Sequence, residues 1–214
     1  MSYAVKEMFL TLQGEGVHAG RRAVFTRFAG CNLWSGLEKD RASAVCRFCD
    51  TDFVGIDGEG GGRFADAEVL AGEVARLWGP GTERRFVVLT GGEPMLQVDN
   101  ALIDALHQAG FEIAIESNGT IAVPRSIDWI CISPKAGSDT VQKTGDELKL
   151  VWPQSGSDWQ DMESWDFANL LIQPMEALGD PAVSAAHVQS TIEFVRRNPQ
   201  WRLSLQTHKI LGLD

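Results

Sequence analysis

Short apolar segments that alternate with amphipathic ones are the feature that most constrains the fold of this 214-residue chain. Residues 86–90 (FVVLT) form a continuous apolar run that is typical of a buried parallel strand. Further strands are predicted at residues 23–28, 111–115, 129–132, 148–152, 169–173 and 201–206, and helices at 65–78, 99–109 and 181–197. Alternating strands and helices form βα units with right-handed crossovers. The sequence therefore predicts an α/β fold, an open, partial (β/α) barrel with mainly parallel strands.

Polar and glycine-rich motifs follow several of these predicted strands. They begin directly after Phe28, Thr90, Ile115, Ile132 and Ile172. In parallel sheets the functional site lies at the carboxyl ends of the strands. We therefore expect these motifs to meet in one site.

Composition and charge narrow the classes of function. The net charge is −10 and no block of lysine and arginine is present, whereas nucleic-acid-binding proteins usually carry a basic stripe. No apolar run reaches the roughly 18 residues of a membrane span, and the first residues lack the layout of a signal peptide. We expect one domain over residues 1–214, a cytoplasmic location, and neither nucleic acid nor a membrane as partner.

Three of the four cysteines lie close together in the sequence. Fourteen residues separate Cys31 from Cys46, and two separate Cys46 from Cys49, so residues 31–49 are predicted to form an extended metal-binding loop. Thiolates suit either zinc or an iron–sulfur cluster. A structural zinc site normally has four protein ligands, whereas three ligands leave one iron of a 4Fe–4S cluster free for a substrate. The spacing alone does not decide between zinc and an iron–sulfur cluster. Cys131, the fourth cysteine, is expected to be a small buried hydrophobe.

The segment TGGEP at residues 90–94 follows the buried strand FVVLT, where glycines let a ligand approach the backbone. By itself it also fits an ordinary tight turn. Together with the cysteines it resembles the radical S-adenosylmethionine superfamily, whose usual pattern is C-x3-C-x2-C. The longer first spacing resembles one branch, the 7-carboxy-7-deazaguanine synthases of queuosine and 7-deazapurine biosynthesis. This resemblance covers nearly the whole chain, through FLTLQGEG (9–16), TRFAGCNLWSG (26–36), FCDTDF (48–53), TGGEP (90–94), ESNGT (116–120), SPK (133–135), QPM (173–175) and QTHKILG (206–212).

The resemblance implies a radical S-adenosylmethionine lyase with a 4Fe–4S cluster, S-adenosylmethionine and magnesium. The family reaction begins when a 5′-deoxyadenosyl radical removes hydrogen from carbon 6 of 6-carboxy-5,6,7,8-tetrahydropterin. Ring contraction and loss of ammonia then give 7-carboxy-7-deazaguanine. The resemblance also implies an electron donor such as a flavodoxin or ferredoxin, and a homodimer.

Site residues follow from the resemblance position by position. Cys31, Cys46 and Cys49 would hold the cluster, and Thr51 would bind magnesium unless it is an ordinary turn residue. S-adenosylmethionine would contact Phe48, Cys49, Asp50, Gly92, Glu93, Glu116, Ser133, Pro134, Lys135, Gln173, Pro174, Met175 and Glu176. In that set Glu93 would meet the amino group and Glu116 the ribose, although Glu116 also fits a solvated carboxylate at a strand end.

The pterin would contact Leu12, Gln13, Gly14, Arg27, Thr90 and the C-terminal carboxylate of Asp214. Arg27 would pair with the substrate carboxylate, or else be an exposed strand arginine. Two other functions remain as alternatives. One is an enzyme that activates glycyl-radical enzymes, a group that normally has the three-residue first spacing. The other is a zinc-binding interaction module without catalytic activity.

Overall fold

A single sheet contains all nine strands of residues 1–213, the part of the chain that the computed structural model describes. The strand order is β3-β1-β2-β4-β5-β6-β7-β8-β9. Strand β1 runs antiparallel to both of its neighbours, and the other pairs are parallel. The bounds are β1 (Tyr3–Leu12), β2 (Arg22–Phe28), β3 (Gly62–Phe64), β4 (Phe86–Gly91), β5 (Glu112–Ser117), β6 (Trp129–Ile132), β7 (Thr144–Trp152), β8 (Asp166–Pro174) and β9 (Trp201–Leu203). The predicted mainly parallel α/β fold is confirmed.

Capping aspartates fix where the three long helices begin. The side chains of Asp66, Asp99 and Asp180 each accept a hydrogen bond from a backbone N–H in the first turn, which satisfies donors that the helix leaves unpaired. The helices are α1 (Ala67–Trp78), α2 (Asn100–Gln108), α3 (Trp159–Met162), α4 (Pro181–Arg197) and α5 (Thr207–Leu211), with 3-10 turns at Glu38–Ser43 and Pro94–Leu96.

Two apolar cores hold the helices against the sheet. The larger one joins α1 and α2 to the central strands and includes the fully buried Phe86 and Ile113. The smaller one joins α4 to β7 and β8 and is built around Phe194 and Trp201. Burial of these side chains fixes the strands whose ends carry the polar motifs.

Contacts between distant parts of the sheet show that it curls into a partial barrel. The loop after β1 meets the segment after β9, although β9 lies at the far edge of the sheet. The backbone N–H of Gly16 donates to Oγ of Ser204 at 3.0 Å, and that of Thr207 donates to the carbonyl of Gly14 at 2.8 Å. These loop contacts, and not strand pairing, bring the two sides together.

The structure differs from the predicted elements at both ends of the chain. Strand β1 was not predicted, because Lys6 and Glu7 interrupt its apolar pattern. The last strand ends at Leu203, not at residue 206. The backbone N–H of Ser204 still donates to the carbonyl of Ile172, while its hydroxyl donates to Gln173 and accepts from Gly16. The chain then enters α5. No helix in residues 1–213 is both long and apolar enough to cross a membrane.

Candidate active site

One cavity of about 420 Å³ lies within the curved sheet. Its volume falls in the range of roughly 300–1,000 Å³ that is usual for small-molecule sites. Residues from the carboxyl ends of β2, β4, β5, β7 and β8 line it, together with parts of the cysteine loop and of α5. The structure therefore brings the polar motifs after these strands into one site.

Backbone hydrogen bonds fold the long cysteine loop back on itself. The N–H groups of Val45 and Cys46 both donate to the carbonyl of Leu33, two residues after Cys31. Arg41 stacks on the ring of Trp34 and donates to the carbonyl of Cys49 at 3.1 Å. The fourteen-residue spacing is thus closed by local contacts that return Cys46 to the neighbourhood of Cys31.

The three thiols lie close enough to influence one another's ionisation. The hydrogen bond between Cys46 and Cys49 lowers the pKa of Cys49 to about 6. The same bond and burial both raise the pKa of Cys46. Burial raises the pKa of Cys31, against hydrogen bonds from the backbone of Leu33 and Trp34. All three cysteines are free of disulfides. The group has the donors for a soft metal centre, which binds thiolates.

The Gly91-Gly92 turn after β4 packs directly against the start of the cysteine loop. A Cβ atom on Gly92 would lie 2.2 Å from the carbonyl oxygen of Gly30 and 2.7 Å from Cβ of Cys31. Real Cβ contacts do not come this close, so only glycine fits at position 92. The glycine motif therefore sets the distance between β4 and the first cysteine.

A buried ionic network forms another wall of the cavity. The Lys149 ammonium lies 2.6 Å from Oε2 of Glu15 and 2.7 Å from Oε2 of Glu116. The amides of Gln13 and Gln206 donate to the remaining oxygens of Glu116 and Glu15. The side chain of Lys149 is only 4% exposed, so this cation interacts with its partners almost out of contact with water.

Known proteins resemble this chain over its whole length. The sequence profile of the Radical SAM superfamily matches residues 41–146. The 7-carboxy-7-deazaguanine synthases of Bradyrhizobium diazoefficiens and Burkholderia multivorans are each 59% identical over 213 residues, with full coverage of both chains. That of Bacteroides thetaiotaomicron is 40% identical with the same coverage. The chain belongs to the 7-carboxy-7-deazaguanine synthase family.

A solved structure agrees with this family assignment. QueE from Escherichia coli is 26% identical and superposes with a TM-score of 0.73, covering 97% of this chain and 95% of that one. The partial-barrel fold expected for the family is therefore present. The full-length relatives decide against both alternatives from the sequence, the activator of glycyl-radical enzymes and the zinc-binding interaction module.

The cysteine group fits the cluster that radical S-adenosylmethionine proteins carry. In residues 1–213 no three His, Cys, Asp or Glu side chains converge on the position of a single metal ion. A 4Fe–4S cube does not need such convergence, because each thiolate binds a different iron. Two of the three cysteines face the cavity, where a fourth iron would be open to a small molecule.

Most of the residues expected from the sequence lie on the cavity wall. These are Leu12, Gln13, Gly14, Arg27, Cys46, Phe48, Cys49, Asp50, Thr51, Thr90, Gly92, Glu116, Ser133, Lys135, Gln173, Pro174, Met175 and Glu176. Arg27 and Thr90 are aligned neighbours on the parallel pair β2 and β4, which places the two expected pterin contacts side by side. Cys31 lies behind the wall, against Gly92.

Glu93 lies behind the cavity wall. Its side chain is fully buried, and its carboxylate accepts hydrogen bonds from Ser117 Oγ and from the backbone N–H groups of Met95 and Asn118. Burial raises the pKa of Glu93, while these donors lower it. These three bonds join the loops after β4 and β5. The contact of Glu93 with the amino group of S-adenosylmethionine stays a prediction.

Two further expected contacts are not found on the wall. Pro134 is buried, and its carbonyl accepts a hydrogen bond from Gln154, so it supports Ser133 and Lys135 from behind. Asp214 lies outside the described residues.

Sequence reasoning missed several residues that line the cavity. Six of them are Glu7, Glu15, Lys149, Gln206, His208 and Lys209. Four of them stand inside quoted motifs, Glu15 in FLTLQGEG and the last three in QTHKILG, so the motifs had already marked them. Lys149 has a weaker signal, a lone cation in an apolar strand, since its neighbours Leu148 and Leu150 point into the core.

Proposed function

We propose that this chain converts 6-carboxy-5,6,7,8-tetrahydropterin into 7-carboxy-7-deazaguanine and ammonia, as a carbon–nitrogen lyase. Full-length identity of 59% to synthases of this name supports the proposal. The cavity also supports it, because Cys46, Cys49 and Arg27 all line the same space of about 420 Å³.

The three cysteines would hold a 4Fe–4S cluster. When bound, the cluster supplies an electron to S-adenosylmethionine, which yields the radical that removes hydrogen from the substrate. The protein positions the reactants and excludes water. Gly92 would meet the amino group of S-adenosylmethionine and Glu116 its ribose. Residues 133–135 would line the adenosine side.

Arg27 would hold the substrate carboxylate. Its Nε donates to Oε1 of Glu7 at 2.6 Å across the β1–β2 pair. This contact orients the guanidinium and leaves its terminal nitrogens for a second acceptor. A forked pair with a carboxylate is stronger and better oriented than a lysine contact.

Arg27→Lys is expected to weaken pterin binding by roughly tenfold to a hundredfold, because a charge-assisted hydrogen bond is worth about 1.5–3 kcal/mol. Cluster content and affinity for S-adenosylmethionine should stay near those of the parent. Calorimetry on anaerobic protein measures all three. Arg22→Lys is the matched control, since Arg22 lies on the same strand but binds the carbonyl of Trp78, outside the cavity. Parent-like pterin affinity in Arg27→Lys would place the carboxylate elsewhere.

Thr51 is our candidate for the magnesium site. It lies on the cavity wall beside Cys49, and a hydroxyl is a ligand of the hard type that magnesium prefers. Its neighbours Asp50 and Asp52 are occupied by ion pairs with Lys209 and Lys6.

Thr51→Ala is expected to reduce the stimulation of turnover by magnesium at least severalfold, while reductive cleavage of S-adenosylmethionine continues. Thr51→Ser, which keeps the hydroxyl, should respond as the parent does. Turnover across a magnesium titration makes the comparison. An unchanged response in the alanine variant would remove Thr51 from the metal site.

One experiment tests the proposed function as a whole. Reconstituted protein is incubated anaerobically with S-adenosylmethionine, a reductant and the carboxypterin, and the products are analysed by mass spectrometry. Formation of 7-carboxy-7-deazaguanine with one equivalent of ammonia is the expected result. Cleavage of S-adenosylmethionine without any change in the pterin would contradict the proposed substrate.

Four further predictions, about the organisation, location and associations of the chain, stay proposals. They are the organisation as one domain, the cytoplasmic location, an electron donor such as a flavodoxin or ferredoxin, and a homodimer. Pull-down with reduced flavodoxin and light scattering would test the two associations.

A further inference from the structure

Lys149 occupies an unusual position for a lysine. Along β7 the side chains alternate, so that Leu148 and Leu150 enter the apolar core while Glu147 and Lys149 face the interior of the barrel. The Lys149 ammonium contacts carboxylates from two other segments, Glu15 in the loop after β1 and Glu116 at the end of β5. A buried charge costs free energy unless it is paired, and this one has two partners.

The carboxylates around Lys149 keep its ammonium group charged although it is buried. Burial disfavours the charged form, but the attraction of Glu116 and Glu15 raises the pKa of Lys149 well above its usual value. Burial likewise raises the pKa of Glu15, and its contacts with Lys149 and glutamine side chains outweigh this and lower it to about 2. Cys131 on β6, Glu147 on β7 and His18 in the loop after β1 also face this group. The thiol of Cys131 donates a hydrogen bond to Oε1 of Glu147 at 3.5 Å.

Without the ammonium, Glu15 and Glu116 would be two partly buried like charges with no cation between them. Repulsion between two such carboxylates favours the protonated form of one of them, so in a variant without the ammonium we expect one carboxyl to keep its proton to a higher pH. A neutral carboxyl is a weaker acceptor for the hydroxyl groups of a ligand.

We propose that Lys149 is a positioning residue, whose ammonium keeps Glu15 and Glu116 both ionised and directed into the cavity. This inference rests on the proposed function, in which Glu116 meets the ribose of S-adenosylmethionine. It adds that the cosubstrate site depends on a cation that need not touch the ligand.

The test compares Lys149→Met with the parent in equilibrium binding of S-adenosylmethionine to anaerobic, cluster-loaded protein. At about pH 6.5 the variant should bind at least about tenfold more weakly, since one carboxyl is then protonated. The deficit should shrink towards about pH 8.5, as that carboxyl ionises. Lys143→Met is the matched control, because Lys143 is exposed near the start of β7 and lies 3.9 Å from Asp161, far from the cavity. A deficit that does not change with pH would overturn the proposal, whereas a parent that fails to bind would contradict the proposed function.

Thermal unfolding of the same proteins gives a readout that does not depend on any ligand. In the parent, Glu15 has a lowered folded pKa, so its contribution to stability is complete above the unfolded value of about 4.3 and is lost only as the pH falls towards 2. In Lys149→Met we expect one of the two carboxyls to have a raised pKa in the folded state, which reverses the pH dependence of its contribution to stability. Its contribution is present below about pH 4.3 and is lost as the pH rises through the folded value.

The Tm deficit of Lys149→Met against the parent should therefore widen above about pH 5, by roughly 3–5 °C for each pH unit until the raised value is passed. A deficit of constant size would indicate lost packing alone and would overturn the proposal. If Lys149→Met does not fold, the double variant with Glu15→Gln decides. Recovery of folding supports charge compensation, and failure of both variants contradicts it.

Discussion

Replacing Cys31, Cys46 or Cys49 by alanine is expected to abolish the iron–sulfur cluster. Each thiolate would bind one iron of the cube, and we expect a cluster with only two protein ligands to be lost. Iron and sulfide analysis of anaerobically reconstituted protein should fall from about four of each per chain to near zero. Absorption near 400 nm should disappear with them.

Cys131→Ala is the control for these three variants. Cys131 lies on β6, away from the cysteine loop, and its thiol donates a hydrogen bond to Glu147. Burial raises the pKa of this thiol well above its usual value. A neutral, buried thiol of this kind is not a cluster ligand. Iron content should match that of the parent, and loss of iron in Cys131→Ala equal to that in the other three would overturn the ligand assignment.

Gly92→Ala is expected to have the second largest effect. Its new methyl group would meet the carbonyl oxygen of Gly30 at 2.2 Å and Cβ of Cys31 at 2.7 Å, and the first of these is backbone that cannot rotate away. The cysteine loop must shift, which should cost about 1–3 kcal/mol of stability and reduce the bound iron severalfold. Thermal unfolding and iron analysis measure the two effects.

Gly72→Ala is the matched control for this substitution. Gly72 is exposed on α1, and a Cβ atom there meets nothing within 4 Å. Alanine in a helix interior is favoured over glycine by about 0.5–1 kcal/mol, so this variant should be more stable than the parent and keep its iron. Normal iron content in Gly92→Ala would show that the loop after β4 does not position Cys31.

The sequence contained most of the architecture because its strands and helices are locally encoded. Residues 129–132 and 181–197 were predicted with the bounds that the structure has, since a buried apolar run and a capped helix are short-range signals. Strand β1 was missed because its local sequence does not carry such a signal. Lys6 and Glu7 hide it locally, and only pairing with β2 and β3 on either side makes it a strand.

The sequence by itself determined the fold class, the three-cysteine group and the family, because spacing and motifs survive without coordinates. It could not show which side chains hold Glu93, whose carboxylate accepts hydrogen bonds from Ser117 and Asn118, nor find Lys149, whose partners are 134 and 33 residues away. Those roles depend on which buried charges meet. Desolvation makes an unpaired charge too costly to keep, so the tertiary structure decides them by bringing Glu15, Glu116 and Lys149 together in one wall.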